Sequence, residues 1–201
     1  MMREIDYFLS LNSPWTHLGA ARFAALAARH QVRVRVFPVD FGVIFAATGG
    51  LPLPRRSPQR QAYRLQELAR WRDHLGLPIQ IHPPHFPANE TLAAQAVIAL
   101  RESGEGEKAL ALAHHVLKAL WEEGRDTADP ATLAALADAA GADGAALIKR
   151  AEEPGWAALR ARDTEAAIAR GVFGAPSYVL GEEIFWGQDR LDFLARRLEA
   201  G

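Results

Sequence analysis

The sequence predicts an α/β fold in which a small sheet accepts a large, purely helical insertion, and three observations predict it. A strand–helix–strand pattern of about 35 residues opens the chain. Only helical patterns fill the middle. Strand patterns return near residue 177, as a hairpin followed by a last helix. In order, Ile5, Tyr7 and Leu9 alternate with Glu4, Asp6 and Phe8 before a Ser-Leu-Asn-Ser break. The run from Met1 to Ser10 holds Arg3, Glu4 and Asp6, so it does not read as a signal peptide. Ser13-Pro14 reads as a helix start, with serine as N-cap and proline in the first turn, where a missing N–H costs nothing. The helix continues from Trp15 to His30, rich in Ala and Leu. Val32 to Pro38 then alternates strictly, a strand with one buried face, and a helical crossover makes it parallel to the first.

From Gly42 to Pro58 the chain holds Gly49-Gly50, three prolines and two arginines, which predicts a loop. Helices follow at about Gln59–Leu75, Thr91–Glu102, Glu105–Glu123, Pro130–Ala140 and Asp143–Glu152, with four prolines in Pro78–Pro87. A further helix leads to Ser177–Leu180 and Glu183–Trp186, joined across Gly181, and to a last helix at about Gln188–Glu199. That order is a thioredoxin-like fold with an inserted all-helical domain. Residues 1–40 and 155–201 form the discontinuous thioredoxin-like domain, and residues 41–154 form the insertion.

Composition excludes several function classes. The 201 residues are 49% hydrophobic, enough for a sizeable core. With 23 Lys and Arg against 24 Asp and Glu, the chain lacks the basic excess of a nucleic-acid or membrane-surface binder. The absence of cysteine excludes disulfides, thiolate nucleophiles and sulfur-ligated zinc. No apolar run approaches the length that spans a bilayer, and a cytoplasmic protein is expected.

Three motifs carry chemistry. Ser13-Pro14-Trp15-Thr16 stands where strand meets helix, the place where redox proteins of this fold carry C-x-x-C with a thiolate on the helix amino terminus. Here both cysteine positions are hydroxyls. A plain serine N-cap accounts for the same residues. Val172 to Ser177 places Gly-x-Pro before a strand, where the fold carries a cis proline whose preceding main chain pairs with a bound peptide. An ordinary trans proline opening an edge strand is the alternative. Trp186 to Arg190 opens the final helix. There, first-turn N–H groups suit a carboxylate and Asp189 an ammonium, although dipole electrostatics alone would favour the aspartate. His17 lies one turn beyond Ser13, which raises a Ser–His dyad, and His82-Pro-Pro-His85 has ligand-like spacing without a third ligand. Arg55, Arg56, Arg60 and Arg64 form the densest basic stretch, either a solvated face or a site where guanidinium forks meet a carboxylate.

Together these motifs resemble the 2-hydroxychromene-2-carboxylate isomerase family, DsbA-like proteins related to kappa-class glutathione transferases. The resemblance spans nearly the whole chain. It includes Tyr7-Phe8 with Ser13-Pro14, Arg70-Trp71 with Gly76-Leu77-Pro78, Phe86-Pro87-Ala88-Asn89, and most specifically Val172 to Leu191, VFGAPSYVLGEEIFWGQDRL. It implies glutathione, or another small thiol, as cofactor, with Ser13 acting on its sulfur and Ala175 beside Pro176 meeting its cysteinyl backbone. It also implies Trp186, Gly187, Gln188 and Asp189 at the γ-glutamyl end, with Arg55 and Asn89 at matching loop positions. Trp15 and Arg60 are the expected substrate contacts. Pro54 stands where the family often has asparagine, and Glu90 where an aromatic can occur.

The implied reaction interconverts 2-hydroxychromene-2-carboxylate and trans-o-hydroxybenzylidenepyruvate, or a similar enone acid. A conjugated C=C turns over only when its double-bond order is temporarily lost, as reversible thiolate addition achieves. Lowering a free thiol pKa of about 8.5 by two units needs roughly 2.7 kcal/mol. A hydrogen bond to a charged acceptor contributes about 1.5–3 kcal/mol. Ser13 is therefore expected to donate to the sulfur rather than to attack. A kappa-like transferase and a redox-inactive peptide-binding module are the alternatives. No metal, nucleic acid or membrane is expected, the partner is a small-molecule substrate, and related proteins make a homodimer the expected assembly.

Overall fold

The computed structural model describes residues 3–200; the first two positions of the amino-terminal run, Met1 and Met2, lie outside the described residues. Strand β1 (Glu4–Leu9), helix α1 (Pro14–Arg29) and strand β2 (Arg33–Pro38) form the expected unit, parallel from Glu4↔Arg33 to Leu9↔Pro38. Strand β3 (Ser177–Leu180) pairs antiparallel on the other side of β1, with Phe8 opposite Ser177, and β4 (Glu183–Trp186) completes the order β2-β1-β3-β4. β1 is thus central, which is why all its residues from Ile5 to Leu9 are buried.

The period-two alternation of β1 divides the interior. Ile5, Tyr7 and Leu9 enter the larger core with Phe23 and Leu26 of α1, and Phe8 enters a smaller cluster on the opposite face. Asp6 shares the Phe8 face and is buried, where an unpaired carboxylate would be costly. Its cross-strand neighbour Arg35 answers with two bonds of 2.6 and 2.8 Å, and Arg170 bonds it from the far side.

The stretch expected as loop is partly helix: α2 spans Phe41–Thr48, followed by a 3-10 turn at Leu53–Arg55. The Asp40 carboxylate caps α2 by accepting from the N–H groups of Gly42 and Val43, and Gly49, at φ 77°, stops it. Phe41 and Ile44 supply the apolar face that docks it on the Phe8 cluster. The Gly-Pro signal belonged to the segment after this helix.

Helices α3 (Pro58–Leu75), α4 (Thr91–Glu102), α5 (Gly106–Trp121), α6 (Pro130–Ala139) and α7 (Gly144–Ala151) follow, then α8 (Trp156–Ala169) and, after β4, a 3-10 turn (Gln188–Arg190) leading into α9 (Leu191–Glu199). The inserted helices have no separate core. α4 to α7 share one buried cluster with β1, α1 and α9, so the insertion is held by the same apolar surface that holds the sheet. No helix among the described residues is long and apolar enough to cross a membrane.

That shared core encloses polar groups. Tyr7 stacks on Tyr178 with ring centroids 5.2 Å apart and meets the edge of His114 at 6.2 Å. His114 Nε2 is shut off from solvent without a hydrogen-bond partner, and burial, then the charges of His17 and His115, lower its pKa to about 4. The folded chain therefore keeps His114 neutral where the unfolded chain, with an ordinary value of 6.5, takes up a proton. The contribution is intact above pH 6.5 and is lost as the pH falls toward 4, by roughly 3 kcal/mol in all. Urea unfolding of the wild type should show that loss across this window, and His114→Leu should flatten the slope.

Candidate active site

The site forms where β1 delivers the chain to α1. Ser13 caps α1 from extended backbone (φ −81°, ψ 119°), and its Oγ accepts the N–H of Thr16 at 3.2 Å. Pro14 occupies the first turn, which itself contains no acidic residue to offset the positive end of the helix. Among the described residues the Ser13 hydroxyl donates to no acceptor. The oxygen is committed; the proton is not.

Pairing of Phe8 with Ser177 places the preceding Ala175-Pro176 opposite the end of β1, beside the loop that holds Ser13. The Ala175–Pro176 bond is cis, as the motif predicts; Phe86–Pro87 is also cis, which the sequence did not single out. The Pro176 carbonyl accepts the N–H of Gly187 at 2.9 Å and so carries the Trp186–Asp189 turn to the same edge. Trp186 is half-exposed and leans on Phe173, with centroids 4.7 Å apart; its ring lies so close to Gly174 that a Cβ there would collide with it.

In the 3-10 turn, the N–H groups of Gln188 and Asp189 have no partner among the described residues. Asp189 is exposed and paired with Arg190 at 2.7 Å. Gln188 turns its side chain inward. It is buried and its Oε1 accepts from Arg22, which also donates to the Gln188 carbonyl at 3.2 Å, so of its main-chain groups the N–H remains open. Gly19 permits this approach: a Cβ would sit 2.8 Å from the Tyr178 hydroxyl and 2.9 Å from Gln188 Cβ.

A network the sequence did not reveal fixes the loop before Ser13. Glu90 Oε2 accepts from Ser10 Oγ at 2.8 Å and from the main-chain N–H of Asn12 at 3.1 Å, while Oε1 accepts from Arg160 at 2.7 Å. The Asn12 amide pairs reciprocally with the main chain of Ala88, at 2.8 and 3.0 Å. This brings exposed Asn89 to the Ser13 loop; its Oδ1 accepts the N–H of Thr91 at 3.1 Å, leaving the amide N–H groups open. The signal in the sequence was a carboxylate just before a helix. Nothing in the sequence pointed from it to Arg160.

Trp15 packs with Leu18, Leu68 and Ile79 between α1 and α3. Arg55 ends the 3-10 turn and Arg60 begins α3; both are exposed, and neither bonds to Ser13, Ala175 or Asp189. His17 does not complete a dyad with Ser13. Its Nε2 lies 3.0 Å from Glu122 Oε1, and burial lowers its pKa against the opposing pull of that carboxylate. His85 lies 3.9 Å from Asp126. Among the described residues no three His, Asp or Glu side chains gather as a metal site would require.

The model of the DSBA-like thioredoxin domain matches residues 4–199. Over 195 residues the chain is 29% identical to the 2-hydroxychromene-2-carboxylate isomerase of Sphingobium xenophagum, covering 96% of this chain and 97% of that protein. It is 29% identical over 191 residues to the Pseudomonas putida protein of the same name, covering 94% and 91%. A solved structure of a 2-hydroxychromene-2-carboxylate isomerase superposes with a TM-score of 0.80 at 28% identity, covering 98% of this chain and 95% of the other.

Glu90→Ala would strip Arg160, only 12% exposed, of its carboxylate, though Arg160 keeps a bond to the Pro38 carbonyl. The expected loss of stability is about 2–4 kcal/mol. Glu90→Gln, which keeps an acceptor, should lose less. Urea unfolding measures both, and hydrogen exchange should show lost protection at Asn12 in the alanine variant.

Proposed function

This chain belongs to the DSBA-like thioredoxin-domain family, and on that premise we propose that it is a glutathione-dependent cis–trans isomerase. Its proposed reaction interconverts 2-hydroxychromene-2-carboxylate and trans-o-hydroxybenzylidenepyruvate, or a similar aromatic-derived enone acid. The relatives that match it along nearly their whole length carry the isomerase name. The observation that carries the mechanism is the uncommitted proton of Ser13, held at an unneutralised helix amino end in a chain with no cysteine.

The residues present fit glutathione. Ala175 has no main-chain partner among the described residues, so its N–H and C=O are open to the cysteinyl backbone. The free N–H groups of Gln188 and Asp189 suit the γ-glutamyl carboxylate, and the exposed Asp189 carboxylate suits the ammonium. Trp186 and Gly187 shape that end of the site, while Asn89 and Arg55 offer open donors from the inserted segment. When bound, glutathione supplies the sulfur nucleophile that the chain lacks.

The protein's own part is electrostatic. Ser13 donates its hydroxyl proton toward the sulfur, contributing about 1.5–3 kcal/mol in favour of the charged form. The amino end of α1 adds about 0.3–1 kcal/mol. Their sum reaches the roughly 2.7 kcal/mol that a two-unit lowering of a thiol pKa requires, so no general base is needed. The His17–Glu122 pair beneath the first turn then serves packing rather than proton transfer.

An absorbance assay with 2-hydroxychromene-2-carboxylate tests the reading. Turnover should require a small thiol, and Ser13→Ala should lower kcat by at least about tenfold. The variant's affinity for glutathione should change little at a pH where the bound thiol is protonated and should fall progressively above it, where the wild type binds the thiolate. Turnover without any thiol, or full activity of Ser13→Ala, would contradict the proposal. Release of a stable glutathione adduct in place of the isomer would assign the site to a transferase.

A further inference from the structure

Arg22 of α1 is a part-buried guanidinium that meets only neutral oxygens. Its Nη2 donates to the Gln188 carbonyl at 3.2 Å, to Gln188 Oε1 and, at 3.5 Å, to the Leu18 carbonyl. Its Nε is shut off from solvent without a partner. Among the described residues no carboxylate accepts from it. The contrast with the other enclosed arginines is sharp: Arg35 meets Asp6, Arg101 meets Asp163 at 2.7 Å and Arg160 meets Glu90 at 2.7 Å. Desolvating a cation without a counter-charge is costly, and neutral acceptors offset only part of that cost.

The surroundings hold the charge in place without cancelling it. Trp71 of α3 lies over the guanidinium, with its ring centre 5.9 Å from Cζ, and packs against the cluster of Leu18, Leu68 and Ile79. An aromatic face attracts a cation and leaves its charge intact. Gly19, three residues before Arg22 and on the same face of α1, lets the two backbones meet. A Cβ there would sit 2.9 Å from Gln188 Cβ and 3.5 Å from Gln188 Cα. The 188–189 turn is thus docked on α1 by a missing side chain and one guanidinium.

Arg22 acts on the peptide unit between Gln188 and Asp189. The carbonyl of that unit accepts from Arg22, and its N–H, which belongs to Asp189, is one of the two left without a partner. The bond is trans, so its N–H points away from its C=O and hence away from Arg22. A carbonyl that accepts from a cation polarises its peptide unit and makes the N–H a stronger donor. The bond to Oε1 meanwhile keeps the Gln188 side chain buried, which leaves main chain on the outer side of the turn. The Asp189 carboxylate is engaged by Arg190 at 2.7 Å, so Arg22 stands behind the turn as an uncompensated positive charge.

We infer that Arg22 is a positioning residue for the γ-glutamyl carboxylate: from behind the turn it fixes and polarises the N–H donors that would face that group, without touching the carboxylate itself. The assignment rests on the glutathione reading and adds to it a source of anion affinity that lies outside the turn, on α1.

Calorimetry with glutathione, and with the analogue whose γ-glutamyl α-carboxylate is an amide, tests it. The wild type should prefer the carboxylate at least about tenfold. Arg22→Met, which keeps a long stem against Trp71, should weaken glutathione binding at least about tenfold and the amide analogue less than about threefold. Arg22→Lys should recover part of the loss. Gln188→Glu leaves Arg22 in place but gives it a counter-charge, and should lower glutathione affinity at least about threefold. At saturating glutathione, kcat of Arg22→Met should stay within about twofold of wild type and the bound thiol's pKa within about 0.3 units, because the Ser13 end is untouched. Unchanged glutathione affinity in Arg22→Met or in Gln188→Glu would overturn the assignment, as would parallel loss of the amide analogue or a shifted thiol pKa. A wild type that binds no glutathione sinks the functional reading itself. A wild type that binds glutathione, with Arg22→Met indistinguishable from it, sinks only the part given to Arg22. The binding arms need no turnover, so they decide the role of Arg22 even in a protein that binds glutathione and does not isomerise.

Discussion

The Glu90 carboxylate, enclosed beneath the loop that leads from β1 to α1, joins three parts of the chain at one point. It takes hydrogen bonds from Ser10 and Asn12 on that loop while its second oxygen holds Arg160 of α8. Arg160 in turn reaches the carbonyl of Pro38 at the end of β2. A buried ion pair by itself does little for stability, because desolvation offsets attraction, but removing one partner is costly. The pair's value here is positional. It sets the backbone from which Ser13 caps α1, and through Ala88 it draws the inserted segment onto the same loop. The Asn89 side of the site depends on that junction.

Around the junction the electrostatics are uneven. The chain as a whole carries a formal charge of −1, yet the site faces the positive end of α1 and the open N–H groups of the 188–189 turn. Negative charge near Ser13 is already engaged: Glu90 by Arg160 and Glu122 by His17. On the proposed function, this helix end is where an anionic sulfur would be held. In the same reading, the hydroxyls at positions 13 and 16 leave the helix end free to act on a thiol that the chain does not itself contain.

Local patterns made much of this legible in the sequence. β1, α1 and β2 follow from alternation and capping, and Ser177–Leu180 and Glu183–Trp186 fall at the positions that their apolar runs require. α2 was lost because the Gly-Gly and prolines after it masked an eight-residue helix that Asp40 caps. The inward turn of Gln188 was not legible, because it depends on Arg22 from another helix and on the missing side chain of Gly19. Glu90 showed itself only as a departure from a family pattern; its partner lies seventy residues away. Arg64 stood among four arginines, and only packing against Phe86 and Trp121 separates it from its exposed neighbours. Pairings between distant segments leave no periodicity to read.

The most direct measurement of the central claim is the pKa of glutathione's thiol on the protein, titrated through the ultraviolet absorbance of the thiolate. The account predicts a value about two units below the roughly 8.5 of a free thiol in the wild type, returning most of the way in Ser13→Ala. A bound thiol that titrates like free glutathione in the wild type, or identically with and without the Ser13 hydroxyl, would contradict it.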